Sequence, residues 1–160
     1  MIRLEPATPA VARAVVEGRP ADVPHAPDWP HPDTADALRP LAEHPDDTGP
    51  GTFLVLLDEV VVGDCGWLGP PDESGEVEIG YGLARSARGR GVGREAVRQL
   101  LDWVAGQGAT RVRAEVQPGN EPSLRLLAAL GFERVEHRAG HEVLARDVGH
   151  GAARCDAPTT

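Results

Sequence analysis

The chain has 160 residues, 41% hydrophobic and 26% charged, with a formal net charge of −9. Its length suits one domain, and its apolar content suits a folded core rather than a disordered chain. The acidic balance argues against non-specific binding of nucleic acid or of an anionic membrane. No run approaches the roughly 20 apolar residues of a membrane span, and no apolar stretch near Met1 resembles a secretion signal. Two cysteines, Cys65 and Cys155, are too few for a disulfide framework and fit a reducing compartment, so the expected location is cytoplasmic. All 16 basic residues are arginine, a bias that a GC-rich genome explains together with the abundant Ala, Gly, Pro and Val. Their placement says more: Arg85, Arg88, Arg90, Arg94 and Arg98 fall in one glycine-rich stretch, a cationic spot that points to a specific anionic ligand.

Met1–Glu5 reads as a short strand, and Pro9–Glu17 as a helix with Val11, Val15 and Val16 on its apolar side. In Gly18–Pro32, the prolines at 20, 24, 27, 30 and 32 exclude regular helix or central strand. A stretch this long without regular structure is usually functional or disordered, and His25, Trp29 and His31 favour function. Asp33 or Thr34 is placed to cap a second helix running to about His44. Thr52–Leu57 and Val60–Trp67 form a hairpin around Asp58-Glu59 by pattern. Glu76–Leu83 alternates, with Val77, Ile79, Tyr81 and Leu83 on one face of a strand. Val92–Val104 is the strongest helix, with Val92, Ala96, Leu100 and Val104 in line, ended by Gly106 and Gly108. Thr110–Val116 reads as a strand, Asn120–Leu130 as a helix stopped by Gly131, and Phe132–Val135 with Glu142–Ala145 as a last hairpin. One domain over 1–147 is expected, followed by a loose tail at Val148–Thr160.

Arg88-Gly89-Arg90-Gly91-Val92-Gly93 lies between a strand and the best helix. Glycines let a backbone approach a ligand closely, and amides at a helix N-terminus attract phosphate. Flanking arginines would add charge-assisted hydrogen bonds. A glycine-rich turn with solvated arginines is the alternative. A Walker loop is ruled out because the chain has no lysine, and the glycine spacing is not that of a dinucleotide fingerprint.

A second motif narrows the choice. After the strand Arg113-Ala114-Glu115-Val116 comes Asn120-Glu121-Pro122-Ser123, then Leu130-Gly131-Phe132. This resembles the Asn-x-x-Ser/Ala … Leu-Gly-Phe signature of the GNAT superfamily of N-acetyltransferases, and the first motif resembles their pyrophosphate loop. Glu78-Ile79-Gly80-Tyr81-Gly82-Leu83 further resembles the RimJ/RimL-like branch. The likeness is close from about Val77 to Phe132 and looser over the preceding hairpin.

The resemblance implies an α/β fold, a twisted mixed sheet of about six or seven strands with helices on both faces. It implies that Arg88, Gly89, Arg90, Gly91, Val92, Gly93 and Arg94 cradle the coenzyme A pyrophosphate. Tyr81, Gly82 and Leu83 would pair with the pantetheine arm and polarise the thioester carbonyl, and Asn120 would help shape the slot. Glu78 is the first candidate for the base that collects the amine proton, and Glu115 the second. Many relatives carry a tyrosine acid seven residues after the asparagine; here Leu127 stands there, and Ser123 is the nearest hydroxyl on that helix. Trp29, His31 and Trp67 are candidates for lining the acceptor pocket, each with a packing role as the alternative.

Acetyl-CoA is thus the expected donor substrate and a primary amine the acceptor, with no metal, since the six histidines show no ligand spacing. No nucleic acid or membrane partner is expected, and the protein is expected as monomer or homodimer. A non-catalytic acyl-CoA sensor on the same fold is the alternative function.

Overall fold

Alternating apolar residues and well-placed turns set the strands. In the computed structural model, which describes residues 1–148, β1 is Ile2–Pro6, β2 Thr52–Leu57, β3 Val60–Trp67, β4 Glu76–Leu83, β5 Arg111–Val116, β6 Glu133–Arg138 and β7 His141–Asp147. The helices are α1 Pro9–Val16, α2 Thr34–Glu43, α3 Pro45–Thr48, α4 Val92–Gly106 and α5 Glu121–Ala129. Hydrogen bonding orders the strands β1-β2-β3-β4-β5-β7-β6. The parallel β4–β5 pair among antiparallel neighbours makes this a mixed seven-stranded sheet, as the α/β expectation has it.

Two compact units divide the described chain. The first holds Met1–Gly66 and Tyr81–Val97. Its β2–β3 hairpin turns on Asp58 and Glu59, whose φ values of 52° and 69° are the paired left-handed conformations of a tight hairpin turn. Thr8 caps α1 by accepting the Val11 amide at 3.2 Å, and Pro9 takes the first helical position, where its missing N–H costs nothing. The Gly18–Pro32 stretch is irregular, as its prolines require, yet it lies along β3. Val61 donates to the Pro24 carbonyl and Ala26 to the Val61 carbonyl, both at 2.9 Å.

The second unit holds Trp67–Gly80 and the chain from Arg98 on. The β4–β5 register runs from Glu76–Arg111 to Ile79–Ala114, while β4 continues to Leu83 and β5 to Val116. Leu100, Leu101, Val104, Val112, Ala114, Leu127, Phe132 and Val143 are buried here. Val148, the first residue of the expected tail, is also buried, and its amide donates to the Thr110 carbonyl at 3.0 Å. Cys155 and the rest of that tail lie outside the described residues. α3 was not expected from pattern; it is a single turn in which the Thr48 hydroxyl donates to the Pro40 and His44 carbonyls. No helix among the described residues is long and apolar enough to cross a membrane.

Candidate functional site

In the first unit, β4 ends in Tyr81–Leu83 and is followed by a single 3-10 turn, Arg85–Ala87. Gly89 and Gly91 then both adopt φ of +78°, where an L side chain is strained, and a Cβ at either would face open space. These glycines are therefore needed for backbone conformation, and the loop they shape is exposed. The first bond of α4 runs from the Glu95 amide to the Gly91 carbonyl at 3.1 Å. The amides of Val92, Gly93 and Arg94 accordingly precede the helical ladder, which is the arrangement that binds anions at a helix N-terminus. Arg90 and Arg94 are exposed beside it. Arg88 behaves otherwise: its Nε and Nη2 donate to the Leu83 carbonyl at 3.3 and 3.2 Å, so the side chain braces the end of β4.

The Gly18–Pro32 segment is tied to the same unit. Asp28 accepts the Ser86 amide at 2.9 Å and its hydroxyl at 2.8 Å, and these bonds hold its carboxyl below the usual range. Trp29 had two readings, lining the acceptor pocket or packing into the core. Its side chain is buried, 1% exposed, and Nε1 donates to Asp64 Oδ2 at 3.1 Å, which is the packing arrangement. The Trp29–Pro30 peptide bond is cis.

His31 is nearly buried and lies against Gly82. A Cβ built on Gly82 would stand 2.5 Å from His31 Cε1, so only glycine leaves room for the ring. Its Nδ1 accepts the Asp33 amide at 3.3 Å. Nε2 stands 3.2 Å from Asp64 Oδ2, outside the angular range of a hydrogen bond, and the two form an ion pair only when the imidazole is protonated. Burial disfavours the imidazolium, but Asp64, with Asp33 beyond it, outweighs burial and Arg88 and raises the His31 pKa.

In the second unit, Glu78 Oε1 accepts from Arg113 Nη2 at 2.9 Å, and Arg113 Nε is 3.7 Å from Glu76. Glu115 Oε2 lies 2.9 Å from His141 Nδ1, each side chain being about a third exposed. Asn120 caps α5, its Oδ1 accepting the Ser123 amide at 3.3 Å. Leu127 is fully buried. Trp67 packs edge-on to Trp103 with ring centroids 4.6 Å apart. Among the described residues, no cluster of His, Cys, Asp or Glu is placed to hold a metal.

One residue of consequence escaped the sequence pattern. Asp64 is 3% exposed in the middle of β3, receiving Trp29 Nε1 and, at 2.9 Å, the Thr34 hydroxyl. Its signal was available: a lone charge inside an apolar strand, Val60-Val61-Val62-Gly63-Asp64-Cys65, requires buried partners. Cys65 beside it is buried too, which pushes its thiol pKa up and leaves it a packing residue.

Comparison with known proteins adds a family. Residues 2–133 match the model of the acetyltransferase (GNAT) domain. Over 85 residues the chain is 38% identical to an uncharacterized N-acetyltransferase, p20, of Bacillus licheniformis, covering 51% of this chain and 48% of that protein. The match thus spans about half the length of that relative. Among solved structures, a GNAT superfamily phosphinothricin acetyltransferase from Sinorhizobium meliloti in complex with AcCoA superposes with a TM-score of 0.67 at 20% identity, covering 95% of this chain and 91% of that one. RimJ of Mycobacterium smegmatis in complex with CoA-disulfide gives 0.64 at 22% identity, covering 99% and 85%. Both structural likenesses are of fold.

Proposed function

The chain belongs to the acetyltransferase (GNAT) domain family, and from that premise we propose that it transfers the acetyl group of acetyl-CoA to a primary amine. The observation that carries this is the loop from Arg88 to Arg94: two left-handed glycines, first-turn amides ahead of the α4 ladder, and exposed Arg90 and Arg94. Such a loop offers neutral donors and positive charge to a pyrophosphate, the anionic part of coenzyme A. The S. meliloti structure, bound to AcCoA, has the same fold and supports the choice of donor.

In the reaction the amine nitrogen attacks the thioester carbonyl carbon. A C–N bond forms, a tetrahedral oxyanion develops, and collapse breaks the C–S bond to release the thiolate. One proton leaves the nitrogen for a base, and the thiolate takes one up. The β4 backbone at Tyr81–Leu83 is the proposed site of the pantetheine arm and the donor to the oxyanion. Glu115 is the proposed base and Glu78 the alternative: each carboxylate has a partner, but Arg113 beside Glu78 is a permanent cation, whereas His141 beside Glu115 is an ion-pair partner only when protonated. Ser123, half-buried on α5, is the proposed source of the thiolate's proton. His31 and Trp67 remain the proposed acceptor-side contacts.

The sensor alternative rests on one observation, that the position where many relatives carry an acid is the fully buried Leu127. Free thiol released from acetyl-CoA, measured across spermidine, kanamycin and a peptide with N-terminal alanine, separates the two. Amine-dependent release supports transfer. Tight binding of coenzyme A with no release on any amine supports the sensor.

A further inference from the structure

A buried carboxylate that no step of the proposed chemistry uses requires its own explanation, because an unpaired charge in a core is costly. Asp64 is such a group. Its Oδ2 receives Trp29 Nε1 at 3.1 Å and Thr34 Oγ1 at 2.9 Å, with His31 Nε2 at 3.2 Å. All three partners come from the stretch between α1 and the start of α2, the part of the chain that pattern alone leaves shapeless. Thr34 Oγ1 in turn accepts the His31 amide at 3.1 Å, so the segment closes on itself around one oxygen.

The neighbouring geometry gives this cluster a direction. Gly63, next to Asp64, has no room for a side chain: a Cβ there would come within 2.5 Å of the Gly82 carbonyl oxygen. β3 and β4 are therefore in close contact at the level of Asp64. The imidazole that Asp64 draws in covers Gly82 itself, where a Cβ would meet Cε1 at 2.5 Å and Nε2 at 2.6 Å. Gly82 is one of the residues on which the thioester is proposed to lie.

We infer that Asp64 is a positioning residue, which latches the Trp29–Thr34 segment to β3 and so seats His31 against Gly82 at the acceptor side of the thioester. The inference rests on the transferase assignment above. Asp64 touches no substrate; it acts through His31. The charged and titratable groups around His31 are Asp64 on β3, Asp33 at the start of α2 and Arg88 after β4. Of these Asp64 is the nearest carboxylate, so removing its charge leaves burial to dominate the imidazole.

Asp64→Asn keeps the shape and removes the charge. The His31 ring, followed by NMR of its Cε1–H and assigned with His31→Gln, should titrate at lower pH in this variant. The KM for the amine should rise by roughly tenfold or more, as expected when charge-assisted bonds that seat a segment are lost, with the Kd for coenzyme A unchanged. Thr34→Val removes one donor and leaves the carboxylate; it should raise the same KM by a smaller factor, and it carries the test if Asp64→Asn does not fold. A folded Asp64→Asn or Thr34→Val with an unaltered KM for the amine overturns the positioning role, whatever its effect on His31 or on melting temperature. Equal weakening of amine and coenzyme A overturns it as well. Absence of turnover by the unmodified protein on every amine overturns the transferase assignment, and the positioning role with it.

Discussion

Gly91 is the position where backbone conformation and ligand charge can be separated. At φ of +78° with nothing within 4 Å of a built Cβ, a side chain there clashes with nothing and is penalised only by the left-handed backbone. That strain is on the order of 1–2 kcal/mol for an L residue. If the loop holds its shape the strain appears as lost stability; if the loop relaxes, it appears as lost affinity, since the cradle must be re-formed on binding. Gly91→Asp adds a negative charge within about 5 Å of a bound pyrophosphate, a repulsion of roughly 1–3 kcal/mol for each facing charge at an effective dielectric between 80 and 20. Coenzyme A affinity measured by calorimetry should therefore fall about 10-fold to 100-fold or more. Gly91→Ala carries the strain without the charge and should fall less. Raising the salt should narrow the gap between the two variants, because exposed charges are screened. A folded Gly91→Asp that binds coenzyme A like the unmodified protein would refute the phosphate cradle.

Further substitutions bear on catalysis and on the core. Glu115→Gln should lower kcat by roughly 10²-fold, while Glu78→Gln should do less; the reverse order would return the base to Glu78. Leu127→Tyr is expected to fail as a graft of the missing acid, since Leu127 is fully buried; overpacking should cost about 1–3 kcal/mol in denaturant unfolding, without a gain in kcat. The raised His31 pKa predicts a signed pH dependence of stability. A group that binds its proton more tightly when folded stabilises the fold fully below its unfolded pKa of about 6.5, and that contribution is lost as pH rises through the higher folded value. Melting temperatures of the native chain and His31→Gln should therefore diverge as pH falls through this window; parallel curves would contradict the Asp64–His31 contact.

Local pattern was enough for the elements whose residues speak for themselves. The Asp58-Glu59 hairpin, the alternation of β4 and the apolar stripe of α4 all depend on neighbours in sequence, and each stands within a residue or two of its expected bounds. β6 was harder: all six of its residues, Glu133–Arg138, are exposed, so no buried face marks it, and Phe132–Val135 was the nearest apolar cue. The turn of the Arg88–Arg94 loop was legible because the left-handed conformations of Gly89 and Gly91 call for glycine, a need visible in one dimension. The acceptor side was not. Trp29 looks the same in sequence whether its indole faces a ligand or donates to Asp64, a residue 35 positions away. Glu78 likewise reads the same in sequence whether or not it is paired, and its partner Arg113, 2.9 Å away on the adjoining strand β5, is 35 positions on. Asn120 caps α5 through its side-chain oxygen, a local role compatible with the one the resemblance implies.

Direct transfer predicts where an isotopically labelled acetyl group travels. The protein would be incubated with labelled acetyl-CoA and an accepted amine, and both the amine and the intact chain examined by mass spectrometry over single turnovers. The label should appear on the amine nitrogen, in one-to-one ratio with released thiol, and never on the protein. Label that passes through the chain before reaching the amine, or that appears only as free acetate, would contradict acetyl transfer by direct attack.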